Sequence, residues 1–97
     1  MKRKWTRAAI PDLAEARRYV ERDNPEAAQT LAHRILDVVD LLGQSPGAGR
    51  PGRVRATREF VVARTRYIIV YRVRRQRLEL LRVLHARRRV PGFRYVV

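Results

Sequence analysis

The sequence contains no cysteine, only two lysines, and only two acidic residues after residue 50. The lack of cysteine excludes disulfides, thiolate zinc sites and cysteine nucleophiles. No apolar run approaches the ~18–20 residues that a membrane-spanning helix needs, and no apolar stretch follows the basic N-terminus as it would in a signal peptide. We therefore expect a soluble, cytoplasmic protein without a membrane partner, folded as a single domain of 97 residues.

Arginine is the abundant residue type. The chain holds 23 Lys and Arg against 9 Asp and Glu, for a formal net charge of +14. Residues 1–49 have a net charge of +1, whereas residues 50–97 have +13 with Glu59 and Glu79 as their only acids. These arginines are interleaved with Val, Leu, Ile and Tyr, so they belong to a folded unit and not to a basic tail. Charge of this size favours polyanionic partners such as nucleic acid or an acidic protein.

The first half of the chain has the spacing of two helices. From Ala9 the apolar residues recur at +4, +3 and +4, which places them on one helix face. Asn24-Pro25-Glu26 is a helix-start signal, because Asn caps well and Pro suits the first helical position. The second apolar stripe continues to Leu42, and Gly43 is the expected stop. The short connection between the two helices predicts an antiparallel hairpin.

The pattern changes to strands after a Gly- and Pro-rich loop at residues 44–56. Residues 57–64, 67–73 and 78–84 are rich in β-branched and apolar side chains and predict three antiparallel strands, the last two of them central. Residues 2–6 predict an edge strand, and the C-terminal tail at residues 93–97 is a candidate for a further strand or for docking on a partner.

Packing the hairpin across one face of the sheet hides both apolar surfaces. The sequence therefore predicts an α+β fold: an N-terminal strand, then an antiparallel helical hairpin packed on a mainly antiparallel sheet of three to five strands. The single domain at residues 1–97 comprises the strand and hairpin (1–43), the loop (44–56), and the remaining strands with the tail (57–97).

Several short motifs follow one another along the chain: Asp12-Leu13, Asn24-Pro25, Gly49-Arg50-Pro51-Gly52, Thr57-Arg58-Glu59, Tyr67-Ile68-Ile69-Val70-Tyr71-Arg72-Val73 and Leu84-His85-Ala86-Arg87, with Pro91 nearby. In this order and spacing, over roughly residues 5–91, they resemble the RelE/ParE toxins of bacterial type II toxin–antitoxin systems. The later motifs resemble the ParE side more closely.

The resemblance implies a small toxin that a short, acidic antitoxin wraps and neutralises, in a hetero-oligomer that represses the shared operon. It implies no cofactor. ParE-like members poison DNA gyrase, whereas RelE-like members cut messenger RNA on the ribosome. RelE-like members also place an arginine just after the first tyrosine of the central strand, where this sequence has Ile68. Gyrase inhibition without enzymatic activity is therefore the leading hypothesis.

Two alternatives stay open. In a RelE-like ribonuclease, Arg87, His85 and Arg53 would be the candidate catalytic residues, with His85 as the base because histidine titrates near neutral pH. A basic, non-enzymatic nucleic-acid-binding module would need only the charge of the second half. The arginines that we expect to bind the target or the antitoxin are Arg50, Arg53, Arg58, Arg72, Arg82, Arg87, Arg88 and Arg89.

Other residues have more ordinary interpretations. We expect His33 on the surface and, because the two histidines are isolated, no metal site. Glu59 is expected in a cross-strand ion pair with an arginine such as Arg72 or Arg82. Tyr67 and Tyr71 share a strand face with Ile69 and Val73, which favours core packing over base stacking.

Overall fold

The helices and strands follow one another in the order that the sequence predicts. The computed structural model describes residues 1–88. They form β1 (Lys2–Trp5), α1 (Ala9–Glu21), α2 (Pro25–Gln44), β2 (Arg50–Pro51), β3 (Arg58–Val61), β4 (Tyr67–Arg74) and β5 (Arg77–His85), with 3₁₀ turns at Pro46–Ala48 and Ala86–Arg88. The predicted loop thus contains a 3₁₀ turn and a two-residue strand. The expectation for residues 93–97 falls outside the described residues.

The helix boundaries follow local capping. The Asn24 side chain accepts a hydrogen bond from the Ala27 N–H at 3.1 Å, and Pro25 occupies the first turn of α2, as the start signal predicts. α2 continues one residue past Gly43. Thr6 precedes α1 but does not cap it, because its hydroxyl donates to the Leu80 carbonyl of β5 at 2.9 Å. This contact turns the chain from β1 towards the hairpin.

The five strands form one sheet in the order β1-β5-β4-β3-β2. β1 runs parallel to β5, and every other neighbouring pair is antiparallel. The prediction of an α+β fold with a mainly antiparallel sheet is therefore confirmed. The turn between β4 and β5 places Arg75 and Gln76 at φ 52° and 62°. Two successive left-handed residues are typical of the tight hairpin turns that match the twist of paired strands.

The hydrophobic core lies between the helical hairpin and one face of the sheet. Ile35, Val39 and Leu42 of α2 are buried in the same cluster as Ile69 and Tyr71 of β4. Tyr67 belongs to it too, so the prediction of core packing for both tyrosines is confirmed. Val73 is 46% exposed, because it lies near the end of β4 beside the turn.

A bulge on β5 explains why its apolar residues occupy both parities. Val70 pairs with Arg82 and Tyr71 pairs with Leu80, so Leu81 is an extra residue in the ladder. The core-facing positions consequently change from Leu78 and Leu80 before the bulge to Val83 after it. Strict alternation would have placed either Leu80 or Val83 on the wrong face.

Two further findings concern residues 1–88 alone. None of the helices in this range combines the length and hydropathy that crossing a membrane requires. The same range contains no group of three or more His, Cys, Asp or Glu side chains arranged to hold a metal ion. His33 is exposed on α2, as predicted.

Candidate functional site: a basic loop anchored on the sheet

Residues 49–58, which we call the basic loop, connect the end of the helical hairpin to β3. The loop carries four arginines, and all four are exposed: Arg50, Arg53, Arg55 and Arg58. It has no long secondary structure of its own, since β2 is only two residues long. Side chains of the neighbouring strands hold its backbone in place.

Tyr71 anchors the start of the basic loop. Its hydroxyl donates to the Pro46 carbonyl at 2.7 Å and accepts from the Gly49 N–H at 2.8 Å. The Arg58 guanidinium donates to the Gly49 carbonyl at 2.7 Å. Burial raises the pKa of the Tyr71 phenol above its ordinary value, although the hydrogen bond from Gly49 and the charge of Arg58 oppose the rise.

The contact with Tyr71 also explains the glycine at position 49. A Cβ atom on this residue would lie 2.5 Å from the Tyr71 hydroxyl oxygen and 2.9 Å from the Glu59 carbonyl oxygen. Any larger residue would therefore push the basic loop off its anchor. The close approach, and not a left-handed backbone, is what requires glycine here.

Glu59 of β3 anchors the middle of the basic loop. Its side chain is almost fully buried, and its carboxylate accepts from the Arg53 N–H at 3.1 Å. The same carboxylate lies 3.5 Å from the Arg50 guanidinium, which is opposite it in the ladder. The predicted cross-strand ion pair of Glu59 thus forms, with Arg50 of β2 as its partner.

Arg72 and Arg82, the examples of a partner that the sequence suggests, each lie against a different carboxylate. Arg72 Nε is 2.6 Å from Glu79 Oε1, and this hydrogen bond holds the pKa of Glu79 below its usual value. Arg82 donates two hydrogen bonds to the carboxylate of Asp12 on α1, at 2.6 and 3.0 Å. Both arginine side chains are largely buried, at 22% and 21% exposure.

Asp12 has a second role at this contact. One of its oxygens also accepts from the Val83 N–H at 3.0 Å. β1 pairs with β5 only as far as Leu80, so Val83 lies beyond the shared ladder. A single carboxylate therefore neutralises Arg82, satisfies a strand-edge donor and ties α1 to β5.

His85 and Arg87 lie at the far end of β5. His85 Nδ1 accepts from the Arg87 N–H at 3.1 Å, so the Nδ1 atom carries no proton in this arrangement. The imidazole also packs edge-on against Tyr19 and Tyr67, with ring centroids 6.1 and 5.2 Å apart. Arg87 is exposed in the 3₁₀ turn. The backbone of Arg88 belongs to the same turn, and Arg89 lies outside the described residues.

The candidate ribonuclease residues occupy different parts of the sheet. His85 is opposite Tyr67 in the β4–β5 ladder, whereas Arg53 binds Glu59, which is opposite Val70. Three residues along a strand span roughly 10 Å, and two interstrand spacings add about 10 Å across the sheet. Tyr67 and Val70 also point to opposite faces, since side chains alternate along a strand. The structure does not bring His85 and Arg53 together.

Comparison with known proteins identifies the family. The family model described as the ParE toxin of the type II toxin–antitoxin system, parDE, matches residues 3–90. This chain belongs to the ParE toxin family. It is 44% identical over 88 residues to "Putative toxin Y4kP" of Sinorhizobium fredii, covering 91% of each chain. It is also 36% identical over 84 residues to "Toxin RelE2" of Caulobacter vibrioides, covering 87% of this chain and 93% of the relative.

A solved structure shows the same architecture. The chain resembles a protein of the chromosomal ParDE TA system from P. aeruginosa, with a TM-score of 0.81 and 31% identity. The similarity covers 88% of this chain and 95% of the other. The expected resemblance to the ParE side of the RelE/ParE toxins is confirmed.

Sequence reasoning did not identify the anchors of this ParE-family toxin's basic loop. The strand pattern indicates only a core position for Tyr71, and Gly49 is visible in the sequence only as part of a motif. Tyr71 is 22 residues from its partner Gly49, and Asp12 is 70 residues from Arg82. No local spacing signals contacts of that range. The one available signal was the scarcity of acids, which made a structural partner for Glu59 and Glu79 predictable.

Proposed function

We propose that this ParE-family toxin inhibits DNA gyrase in the cytoplasm as a binding partner, without catalysing a reaction. The observation that carries this proposal is Ile68. In the resemblance described above, ribonuclease members have an arginine at this position of the central strand. Here the position holds an apolar side chain that is only 4% exposed on β4. A buried aliphatic group supplies neither a positive charge nor a proton to a phosphodiester.

The chemistry of the basic loop supports the same proposal. Cleavage through the RNA 2′-hydroxyl needs a group that removes a proton. Arginine stays protonated in proteins, so Arg50, Arg53 and Arg55 are poor bases. The basic loop is instead suited to binding phosphates or carboxylates, because its backbone is anchored by Tyr71 and Glu59 while the guanidinium groups stay exposed.

Gyrase assays on the purified toxin test this function. We expect supercoiling of relaxed plasmid to fall when toxin is present at micromolar excess, while a translating extract retains its activity. The opposite result, unchanged supercoiling together with arrested translation, would show that the proposal is wrong. Arg17→Gln is the control for variants of the basic loop, because Arg17 is exposed on α1, away from that loop.

A RelE-like ribonuclease remains the second candidate because a relative with 36% identity carries the name Toxin RelE2. Here Arg87 and His85, which are joined by a hydrogen bond, would supply phosphate binding and proton transfer. Mapping messenger 5′ ends in a translating extract tests this directly. New ends that disappear in His85→Ala would support the ribonuclease, whereas unchanged ends count against it.

A basic nucleic-acid-binding module is the third candidate. It predicts direct binding of the toxin to duplex DNA or RNA, with affinity that falls steeply as salt is raised, because released counterions drive such binding. The gyrase proposal predicts inhibition that depends on the enzyme. Binding of comparable strength to DNA alone and to the gyrase–DNA complex would favour the module.

We also propose a short, acidic, amphipathic antitoxin segment as the partner that neutralises the toxin, docked along the helical hairpin and the β1 edge. β1 lies at one edge of the described sheet and exposes Lys2 and Lys4. The neighbouring α2 exposes Leu36 and Leu41, each at 45%. Apolar and cationic groups on adjoining elements are complementary to such a segment.

Co-expression tests the partner. A short acidic reading frame adjoining this gene, expressed with the toxin, is expected to yield a stable complex that no longer inhibits gyrase. Leu36→Asp with Leu41→Asp should weaken that complex, because both substitutions place charge in the apolar contact. Exposed Leu-to-Asp changes leave the core intact, so the toxin itself should still fold. A failure to form any complex would remove this part of the proposal.

A further inference from the structure

The helical hairpin packs against one face of the sheet, and the strand register shows which side chains point to the other face. Tyr71 of β4 and Leu78 of β5 belong to the core beneath the hairpin. Because side chains alternate along a strand, Arg74 of β4 and Arg77 of β5 point away from the hairpin. We call the side on which they lie the opposite face of the sheet.

Three cations lie side by side on the opposite face. Arg77 is in register with Lys2 of β1 and with Arg74 of β4. Lys2 shares this face, because its neighbour Arg3 points to the hairpin and contacts Asp40 of α2 at 3.2 Å. Neighbouring strands lie about 4.8 Å apart, so the three side chains extend from a line about 10 Å long. All three are exposed, and we call Lys2, Arg74 and Arg77 the cationic row.

The charge of the cationic row is only partly compensated. Within residues 1–88, none of its members forms an ion pair. The next row on the same face places Glu79 between Lys4 and Arg72, so the two rows together hold five cations and one acid. The hydrogen bond from Arg72, with the charges of Lys4 and Arg74, lowers the pKa of that carboxyl. Like charges directly opposite each other destabilise a sheet, and a bound anion would offset this repulsion.

The composition of this surface favours a nucleic-acid backbone over a protein partner. Across β1, β5 and β4, both rows consist of charged side chains alone and offer no apolar anchor. Centres of protein–protein interfaces are depleted in charged residues, whereas protein–DNA interfaces are polar and positive. Each strand of duplex DNA carries one phosphate per about 3.4 Å of helix axis, so a row of about 10 Å faces about three phosphates. Arginine also matches phosphate with its paired N–H donors.

We propose that the cationic row binds the phosphate backbone of duplex DNA. The choice of DNA rests on the proposed function, because a toxin bound to gyrase lies close to the duplex that the enzyme holds. The row is distinct from the basic loop, since it belongs to β1, β5 and β4 whereas the loop precedes β3. An antitoxin segment docked along the β1 edge would cover Lys2 at one end of the row and so compete with DNA.

Fluorescence anisotropy of a short labelled DNA duplex, titrated with the full chain in the absence of gyrase, tests the proposal. We expect Arg74→Gln/Arg77→Gln to weaken binding about tenfold and to reduce the slope of log K against log salt by about two, since each lost phosphate contact accounts for about 0.9. Arg17→Gln/Arg22→Gln removes the same charge from exposed positions of the hairpin. This control should keep the slope and remain within about twofold of the wild-type affinity.

A second measurement tests whether repulsion within the row is real. Arg77→Glu places a carboxylate between Lys2 and Arg74, so two like-charge pairs become opposite-charge pairs. We expect the urea midpoint of this variant to rise above that of wild type while DNA binding is lost. A lower midpoint would show that Arg77 has a structural role in the fold, which contradicts the proposal.

Other results of the anisotropy assay would also overturn the proposal. Absence of DNA binding at low salt would do so. Binding that is unchanged in Arg74→Gln/Arg77→Gln but lost in Arg53→Gln/Arg55→Gln would place the duplex on the basic loop. Equal losses in the row variant and in the hairpin control would make net charge alone responsible. A glutamate-rich peptide that binds through the row when DNA does not would assign the row to an acidic protein.

The supercoiling assay separates a failure of this inference from a failure of the proposed function. DNA binding that depends on the row, in a toxin that leaves gyrase active, would contradict the proposed function and support the inference. Gyrase inhibition by a toxin whose DNA binding does not depend on the row would support the proposed function and contradict the inference.

Discussion

Arg72 and Arg82 of the central strands have the same side chain as the arginines of the basic loop, but their surroundings differ. Arg72 and Arg82 are largely buried, and each contacts a carboxylate at 2.6 Å. In the basic loop the roles are reversed, because Glu59 is buried while Arg50 remains 60% exposed. There the protein holds the backbone and leaves the guanidinium groups to solvent.

This difference divides the described arginines of residues 50–88 into two groups. A buried guanidinium group must be paired and hydrogen-bonded, since its desolvation is costly. The few carboxylates in or near the sheet are used to meet that need. Among the described residues, Arg53 and Arg55 form no ion pair and Arg50 stays exposed beside Glu59, so these guanidinium groups are accessible to a phosphate or an acidic protein. Arg72 and Arg82, although predicted as binding residues, are thus better explained by the stability of the fold.

Removal of Asp12 should have the largest effect on stability. Asp12→Ala leaves Arg82 without its bidentate partner and the Val83 N–H without an acceptor. Breaking a buried ion pair from one side typically costs 3–5 kcal/mol, and this pair keeps slight exposure, so we expect about 3 kcal/mol from urea unfolding. Glu15→Gln, which breaks the exposed pair with Arg18, should cost less than about 0.5 kcal/mol. Equal costs would contradict the distinction between buried and exposed pairs.

Tyr71→Phe should have the next largest effect, because it removes both hydrogen bonds that anchor the basic loop. Two such bonds contribute about 2 kcal/mol in total. The pKa of Tyr71 is raised in the folded state, so its contribution is complete below the ordinary tyrosine pKa of about 10 and is lost as pH rises through the folded pKa.

Urea unfolding of both proteins at neutral and alkaline pH provides the measurement. The difference in stability between wild type and Tyr71→Phe should be constant up to about pH 10 and shrink above it. A difference that grows with pH in that range would contradict the assigned hydrogen bonds. Under the proposed function, the variant should also lose gyrase inhibition, since its basic loop is no longer anchored.

Glu79→Gln should have a smaller effect with the opposite pH dependence. The Arg72 hydrogen bond lowers the pKa of Glu79, so the carboxylate stabilises the fold above the ordinary glutamate pKa of about 4.3. Its contribution is lost as pH falls through the lower, folded pKa. We expect a cost of about 1–2 kcal/mol at pH 7 that diminishes in acid. Glu21→Gln on the exposed side of α1 is the control and should show no cost at either pH.

The fold could be predicted from the sequence because its signals are local. Asn24 and Pro25 mark the start of α2, and the β-branched run of β4 marks a central strand. The bulge at Leu81 was not predictable, since it depends on how two strands pair and both parities of β5 are apolar. Sequence periodicity therefore located the strand but not the change of face within it.

The candidate site was only partly predictable for the same reason. The composition of the basic loop is visible in the sequence, but the division of arginines into paired and exposed groups depends on contacts between distant residues. Arg82 finds its carboxylate on α1, and Arg50 finds Glu59 across a two-residue strand.

Substitution of arginines in the basic loop is the sharpest test of the comparison between the two groups, because it should change the free energy of unfolding least. Arg53→Gln/Arg55→Gln removes two exposed guanidinium groups, whereas the Arg53 contact with Glu59 uses the backbone N–H and survives. We therefore expect unfolding free energy within about 0.5 kcal/mol of wild type, together with a loss of gyrase inhibition of about tenfold or more. The matched pair Arg17→Gln/Arg22→Gln removes the same charge from α1 and should preserve inhibition. If both double variants lose inhibition equally, net charge and not the anchored basic loop is responsible. If Arg53→Gln/Arg55→Gln is strongly destabilised, Arg53 and Arg55 are structural like Arg82, and the division between the two groups of arginines does not hold.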